Sequence, residues 1–214
     1  MSRPPSAPTA AHRRFALLVP VKPPARGKSR LLGLPDDVRR DLAAAFALDT
    51  VAAGMASAYV GAVLVATDDA AFSVRFATLG CPAIPDGVTG DLNASLRQAA
   101  AEARRRWPDL QPVALCADLP ALRSADLDAA LAQVGEEPAY VPDAAGTGTT
   151  LYTAEWDRFE PRFGPGSRDA HDERAFAVGL DATTLRCDVD DLDDLRTAVA
   201  LGVGPRTRAL AADL

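Results

Sequence analysis

The chain predicts a three-layer, Rossmann-like α/β fold with a mostly parallel central sheet. Three observations predict it. Apolar runs of strand length alternate with longer stretches of helical periodicity. That β-α-β-α order builds a parallel sheet with helices on both faces, and its crossovers are right-handed. No internal repeat or linker divides the 214 residues, a length that suits one well-packed core. Residues 15–214 therefore read as a single domain. Residues 1–14, rich in Pro, Ala and Arg, read as a frayed tail and not as a signal peptide.

The elements follow in order. Phe15–Val21 reads as a first buried strand. Asp36 to Ala58 is an Ala-rich helix with Asp36 as a cap candidate. Ala62–Thr67 is a strand and Asp69–Leu79 a helix. Leu92–Arg106 is a helix that breaks at Trp107-Pro108, and Val113–Cys116 is a strand. Ser124–Val134 is a helix with Ser124 as its cap. Tyr140–Pro142 and Thr149–Thr153 are strands around a glycine turn, and Asp169–Ala177 is helical. Leu185–Val189 is a last strand, followed by a helix from Asp191 to Leu201 that stops at Gly202.

Composition excludes several classes of function. The formal net charge of -6 argues against a general nucleic-acid binder. No stretch approaches the ~18 apolar residues of a membrane span. The 3 cysteines are dispersed without a CxxC pair and the 2 histidines are remote from them, which argues against a zinc site or disulfide framework and fits a reducing cytoplasm.

In a parallel sheet ligands sit beyond the carboxyl ends of the strands, so the polar residues following each strand are the candidates. After the first strand, Lys22, Arg26, Lys28 and Arg30 crowd together. Gly27-Lys28-Ser29 looks like the end of a P-loop. However, Lys22 stands where such a loop needs its first glycine, and Pro23-Pro24 remove two amide donors. The segment reads instead as a cationic loop able to close on a triphosphate and stabilise departing pyrophosphate. A solvated basic loop is the plain alternative.

Asp118 follows the strand Val113–Cys116, and Asp188 and Asp190 end the last one, on the same side by strand alternation. Magnesium accepts one or two carboxylates and keeps phosphate oxygens and waters as its other ligands. A turn or helix-cap role is the alternative, for Asp190 above all. Gly146-Thr-Gly-Thr149-Thr150 offers backbone N–H groups and hydroxyls to an anion, or simply a hairpin turn. Gly164, Gly166, Ser167 and Arg168 lead into a helix start, a ready phosphate site. His171, one turn further on, reads as a surface helix residue. Asn93, in the loop Asp86–Asn93, could read a base or ribose, or belong to a capped loop.

Taken in order, the motifs PVK…GKSRL, DLNASL, ADLPAL, GTGTT, RFGPGS and RCDVDD resemble the guanylyltransferases of coenzyme F-420 biosynthesis, which use phosphoenolpyruvate or 2-phospho-L-lactate. The resemblance spans about Phe15 to Arg208. It implies a nucleotidyltransferase fold similar to that of the molybdenum-cofactor guanylyltransferases. It also implies that GTP and a phosphorylated acid give a guanosine diphospho-acid and pyrophosphate, and that the product passes to a transferase adding a deazaflavin precursor. The family's metal carboxylates fall on Asp118, Asp188 and Asp190. Its acceptor-phosphate residues fall on Thr149, Gly164 and Ser167, and its triphosphate contacts on Lys22, Lys28 and Arg30. The GTGT and RFGPxS motifs look most like the phosphoenolpyruvate-using branch. The Pro23-Pro24 pair and Ser29 depart from the compact basic loop expected there. Two other readings follow from the same motifs. One is the same chemistry on another acceptor, such as a molybdopterin or sugar phosphate, although Val21-Lys-Pro-Pro replaces the Gly-rich loop such enzymes carry. The other is a non-catalytic GTP-binding module, against which the carboxylates at two strand ends count.

Overall fold

A computed structural model describes residues 14–22, 31, 33–87 and 90–212. Seven strands form one sheet: β1 (Phe15–Pro20), β2 (Val60–Ala66), β3 (Ala83–Ile84), β4 (Gln111–Leu115), β5 (Ala139–Pro142), β6 (Thr149–Thr153) and β7 (Phe176–Ala177). Their spatial order is β3-β2-β1-β4-β6-β5-β7. All neighbours pair in parallel except at β6, which runs against both β4 and β5. The fold is thus the expected mostly parallel α/β sheet, with one reversed strand inserted by the β5–β6 hairpin.

Strand alternation explains the layers, because successive side chains point to opposite faces. Leu17, Val19, Val63, Val65, Val113 and Leu115 face one side, and there they meet helices α1 (Asp36–Met55) and α4 (Ser124–Leu131). Ala16, Leu18, Leu64 and Ala114 face the other and meet α3 (Leu92–Arg106). Ala16 and Ala114 on this side are small, and Leu18 and Leu64 pack with the alanine face of α3, Ala99, Ala100 and Ala103. On the α1 side a Cβ at Gly54 would lie 2.5 Å from Leu17 Cδ2, so glycine is what allows the helix its approach to β1. None of the helices is long and apolar enough to cross a membrane among the described residues.

Helix α2 (Ala70–Thr78) is capped by Asp69, whose carboxylate accepts the Phe72 N–H. Helix α1 begins one residue past Pro35, so Asp36 serves in its first turn and not as its cap. Ser124 likewise opens α4 from inside, without a side-chain cap. The helix expected over Asp169–Ala177 is shorter, α5 (Ser167–Asp172), because Phe176–Ala177 joins the sheet as β7.

The last predicted strand is absent from the sheet. Thr183–Arg186 forms a short helix, α6, and residues 187–190 are irregular and pair with no strand. The apolar alternation there reports burial of Cys187 and Val189 in a third cluster with Leu42, Phe46 and Leu195, not ladder pairing. Helix α7 (Leu192–Leu201) follows, capped by Asp191 and not by Asp190. The Asp191 carboxylate accepts the N–H groups of Asp193 and Asp194, and Asp194 reaches back to the Asp190 and Asp191 N–H groups.

The chain closes with α8 (Pro205–Ala211), fixed to α1 by Asp49. This buried carboxylate accepts N–H groups from Arg206 and Thr207 and the Arg206 guanidinium at 3.2 Å. Removing it leaves two backbone amides without their acceptor and a partly exposed guanidinium without its carboxylate. Asp49→Ala is expected to cost about 2–4 kcal/mol, and Asp49→Asn less, in urea unfolding. A loss no larger than that of an exposed aspartate would contradict the clamp.

Candidate functional site

The reversed strand decides what meets at the sheet's edge. Because β6 runs antiparallel to β4, its first residues lie beside the carboxyl end of β4: Leu115 pairs with Leu151, and Cys116 donates its N–H to the Thr150 carbonyl at 2.9 Å. Asp118 therefore emerges next to Thr149. β5 runs the same way as β4 and ends at the same edge with Asp143.

Three sets of bonds bring the 187–190 segment to this edge. Val189 N–H donates to the Asp118 carbonyl at 3.0 Å, and Ala144 N–H to the Arg186 carbonyl at 2.7 Å. The Arg186 guanidinium donates to the Pro142, Asp143 and Leu180 carbonyls. Beneath Asp118, the buried Thr50 hydroxyl contacts the Phe46 and Ala117 carbonyls and accepts the Leu119 N–H, so helix α1 holds the backbone on both sides of the aspartate.

The result is a concentration of negative charge. Asp188 is pushed up from 3.8 to about 7, first by burial and then by repulsion from Asp118, Asp143 and Asp190. Asp118 and Asp188, expected from two separate motifs, are thus brought together, although residues 187–190 are not a strand. Asp190 lies at the exposed margin. Asp143 is an addition. Its carboxylate accepts the N–H groups of Thr147 and Gly148 at 2.9 and 2.8 Å and shapes the glycine turn from within. A Cβ at Gly148 would stand 2.4 Å from Asp143 Oδ2, so only glycine admits the carboxylate there.

Beside the acids lies a second group of residues. Thr149 and Ser167 are buried. Gly164 and Gly166 take φ of 138° and 69°, where a side chain would be strained, and they bend the chain into α5. Arg168 N–H donates to the Thr147 carbonyl and its guanidinium to Gly146, tying α5 to the β5–β6 turn. The Asn93 carboxamide is engaged at both ends: it accepts the Phe163 N–H at 2.8 Å and donates to the Phe163 carbonyl at 2.9 Å. It braces the loop before Gly164, keeping one N–H and one lone pair for any other partner.

His171 corrects the expectation of a surface residue. It is 1% exposed, between Tyr140, Tyr152 and Phe163. It lies one helical turn from Ser167, so the helix that buries Ser167 buries His171 as well. That spacing was the available signal. For Asp143 the signal was its place directly after an apolar strand. Lys22 is exposed just past β1. Lys28 and Arg30 lie outside the described residues.

Among the described residues no three His, Cys, Asp or Glu side chains are arranged to enclose a metal. What the edge offers is a pair of hard carboxylates beside hydroxyl and amide donors. That set can hold a cation which takes its remaining ligands from bound phosphates.

The chain matches the family described as "Guanylyl transferase CofC like" over residues 15–212. It is 50% identical over 211 residues to the phosphoenolpyruvate guanylyltransferase of Streptomyces scabiei, covering 94% of this chain and 97% of that one. It is 49% identical to the phosphoenolpyruvate guanylyltransferase of Streptomyces coelicolor, with 94% and 97% covered. Among solved structures, a nucleotidyl transferase from Methanothermobacter superposes with a TM-score of 0.59 at 18% identity, covering 88% of this chain and 97% of that one. At that identity the likeness is one of fold, and the fold is a nucleotidyltransferase fold.

The acidic edge has a measurable consequence. A carboxyl whose folded pKa is raised stabilises the protein fully only below its unfolded value, and that stability is lost as pH rises through about 7. Asp188→Asn escapes the loss. In EDTA its stability relative to wild type is expected to grow between pH 4.5 and pH 8 by ~2–3 kcal/mol, allowing for partial solvent screening. A difference that does not change with pH, measured by urea unfolding, would contradict the raised Asp188 value.

Proposed function

The chain belongs to the CofC-like guanylyl transferase family, and we propose that it transfers GMP from GTP to phosphoenolpyruvate, giving enolpyruvyl-2-diphospho-5'-guanosine and pyrophosphate. The observation that carries this reading is the meeting of Asp118 and Asp188 at one sheet edge, beside Thr149 and Ser167. The names of the relatives support phosphoenolpyruvate as the acceptor.

A phosphate oxygen of the acceptor attacks the α-phosphorus of GTP. A new P–O–P linkage forms, the α–β linkage breaks, and its electrons leave with pyrophosphate. The attacking phosphate is already ionised near neutral pH, so no general base is required. Two anionic reactants repel at short range, and catalysis consists mainly of placing them in line and offsetting that repulsion.

Mg2+ fits the donors. It is a hard cation that uses one or two carboxylates together with phosphate oxygens, and the crowding that raises Asp188 is relieved by a divalent charge. Asp118 and Asp188 would hold it, while Asp190, expected as a third ligand, stands at the exposed margin and does not complete a set of three with them. When bound, the ion supplies charge neutralisation between the two phosphates.

The remaining roles belong to side chains and backbone. Thr149, the Gly164 backbone and Ser167 bind the acceptor's phosphate. Lys22, with Lys28 and Arg30 of the basic loop, steadies the leaving pyrophosphate. Asn93 holds the acceptor loop through Phe163, and its remaining donor and acceptor could meet the nucleotide.

Pyrophosphate release tests the reading directly. With GTP and Mg2+, phosphoenolpyruvate is expected to drive release, EDTA to abolish it, and mass spectrometry to find the guanosine diphospho-acid. Release with 2-phospho-L-lactate alone would move the acceptor, and release with neither would overturn the proposal. Asp118→Asn is expected to lower kcat by about 100-fold or more with the melting temperature retained. Wild-type turnover in that variant would remove the metal assignment.

A further inference from the structure

We propose that His171 is a positioning residue for the acceptor: its Nδ1–H donates to Thr149 Oγ1 and so directs the Thr149 hydroxyl proton to the acceptor's phosphate, while its Nε2 holds the base of the loop carrying Gly164 and Ser167. The proposal rests on the reading of Thr149, Gly164 and Ser167 as acceptor-phosphate groups.

Arg162 N–H donates to His171 Nε2 at 3.0 Å. A backbone amide can only donate, so Nε2 carries a lone pair and no proton. The imidazole is then neutral, and its single proton lies on Nδ1. Burial agrees, lowering the His171 pKa to about 4; the smaller upward pull comes from the Ser167 carbonyl one turn back, which faces the same Nδ1–H and shares it with Thr149. Nδ1 stands 3.0 Å from Thr149 Oγ1. A protonated Nδ1 has no lone pair to offer, so at this contact Thr149 accepts. Its own hydroxyl proton must point elsewhere.

That is the polarity an anion needs. A threonine donating to a basic ring nitrogen would present lone pairs to an incoming phosphate, whereas one accepting from the ring keeps its O–H for it. The second contact reaches the other side of the site. Arg162 precedes the Phe163-Gly164 turn, whose next residue is braced by Asn93. One imidazole thus links strand β6 to the 162–167 loop.

Packing alone does not call for a histidine. The ring stacks on Tyr152 with centroids 4.6 Å apart, lies 5.9 Å from the Tyr140 ring, and meets Phe163 edge-on at 5.4 Å. Those ring contacts do not use either nitrogen. Among aromatic side chains that stack in this way, histidine is the one that can receive an amide proton on one edge and supply a proton on the other.

Two measurements test this. In wild-type protein at pH 7, long-range 1H–15N spectra of His171 are expected to show Nδ1 protonated and Nε2 bare. The opposite tautomer, or a doubly protonated ring, overturns the proposal whatever the activity. In kinetics, His171→Phe is expected to raise KM for the acceptor about 10- to 100-fold while KM for GTP stays within about twofold. In a Thr149→Val background the same substitution should add less than it does alone, because part of its effect passes through the missing hydroxyl. An unchanged acceptor KM, an equal rise for both substrates, or full additivity assigns His171 to packing alone. If His171→Phe does not fold, the wild-type spectra decide. A wild-type protein that releases pyrophosphate with no acceptor refutes the parent reading instead, and the tautomer still decides the histidine's state.

Discussion

The hydrogen bond from Val189 N–H to the Asp118 carbonyl is the contact on which the site depends. It joins two parts of the chain about seventy residues apart in sequence and sets the second acidic segment against the end of β4. Without it Asp118 would be a turn residue at the end of a strand, and Asp188 a polar residue ahead of a helix. With it, burial first and then repulsion from Asp118 and its acidic neighbours lift Asp188 to about 7. The neighbouring bonds serve the same end: Arg186 grips the end of β5, and Thr50 holds the backbone around Asp118 from below. Like charges held together in a folded protein cost stability, and such a cost is sustained where a bound cation offsets it.

The reversed strand β6 is the second constraint. In a wholly parallel sheet the neighbour of β4 would present its carboxyl end at this edge. An antiparallel β6 presents its first residues instead, so the residues leading into it, the glycine turn and Thr149, face the acids. Asp143 stabilises that turn and adds to the negative potential. Helix α5, the 162–167 loop and Asn93 then close the site beside that turn. Each half of the site is thus supported from a different layer: the carboxylates by α1 and the 187–190 segment, the hydroxyl and glycine groups by α3 and α5.

Much of this was legible in the chain itself. Alternating apolar runs marked β1, β2, β4, β5 and β6, and helical periodicity marked α1, α3 and α7. The rule that ligands gather beyond strand ends picked out Asp118 and Asp188, and the glycine-threonine motif picked out Thr149. Period-two burial also marked Leu185–Val189, but periodicity cannot say whether a buried extended segment has a ladder partner, and this one has none. The cap of α7 slipped by one residue because four aspartates lie between positions 188 and 193, and geometry alone selects Asp191. His171 was misread because six helical residues are too few for an amphipathic pattern to show which face is buried. The role of Asn93 depended on a loop 70 residues away, a pairing no local pattern encodes.

The central claim is that Asp118 and Asp188 act as a pair on one divalent cation. Mn2+ binding followed by electron paramagnetic resonance, with GTP present and with wild type, Asp118→Asn, Asp188→Asn and the double variant, tests it most directly. The account predicts that each single variant loses most of the tight Mn2+ binding and that the double variant loses little more. Wild-type affinity in either single variant would contradict it.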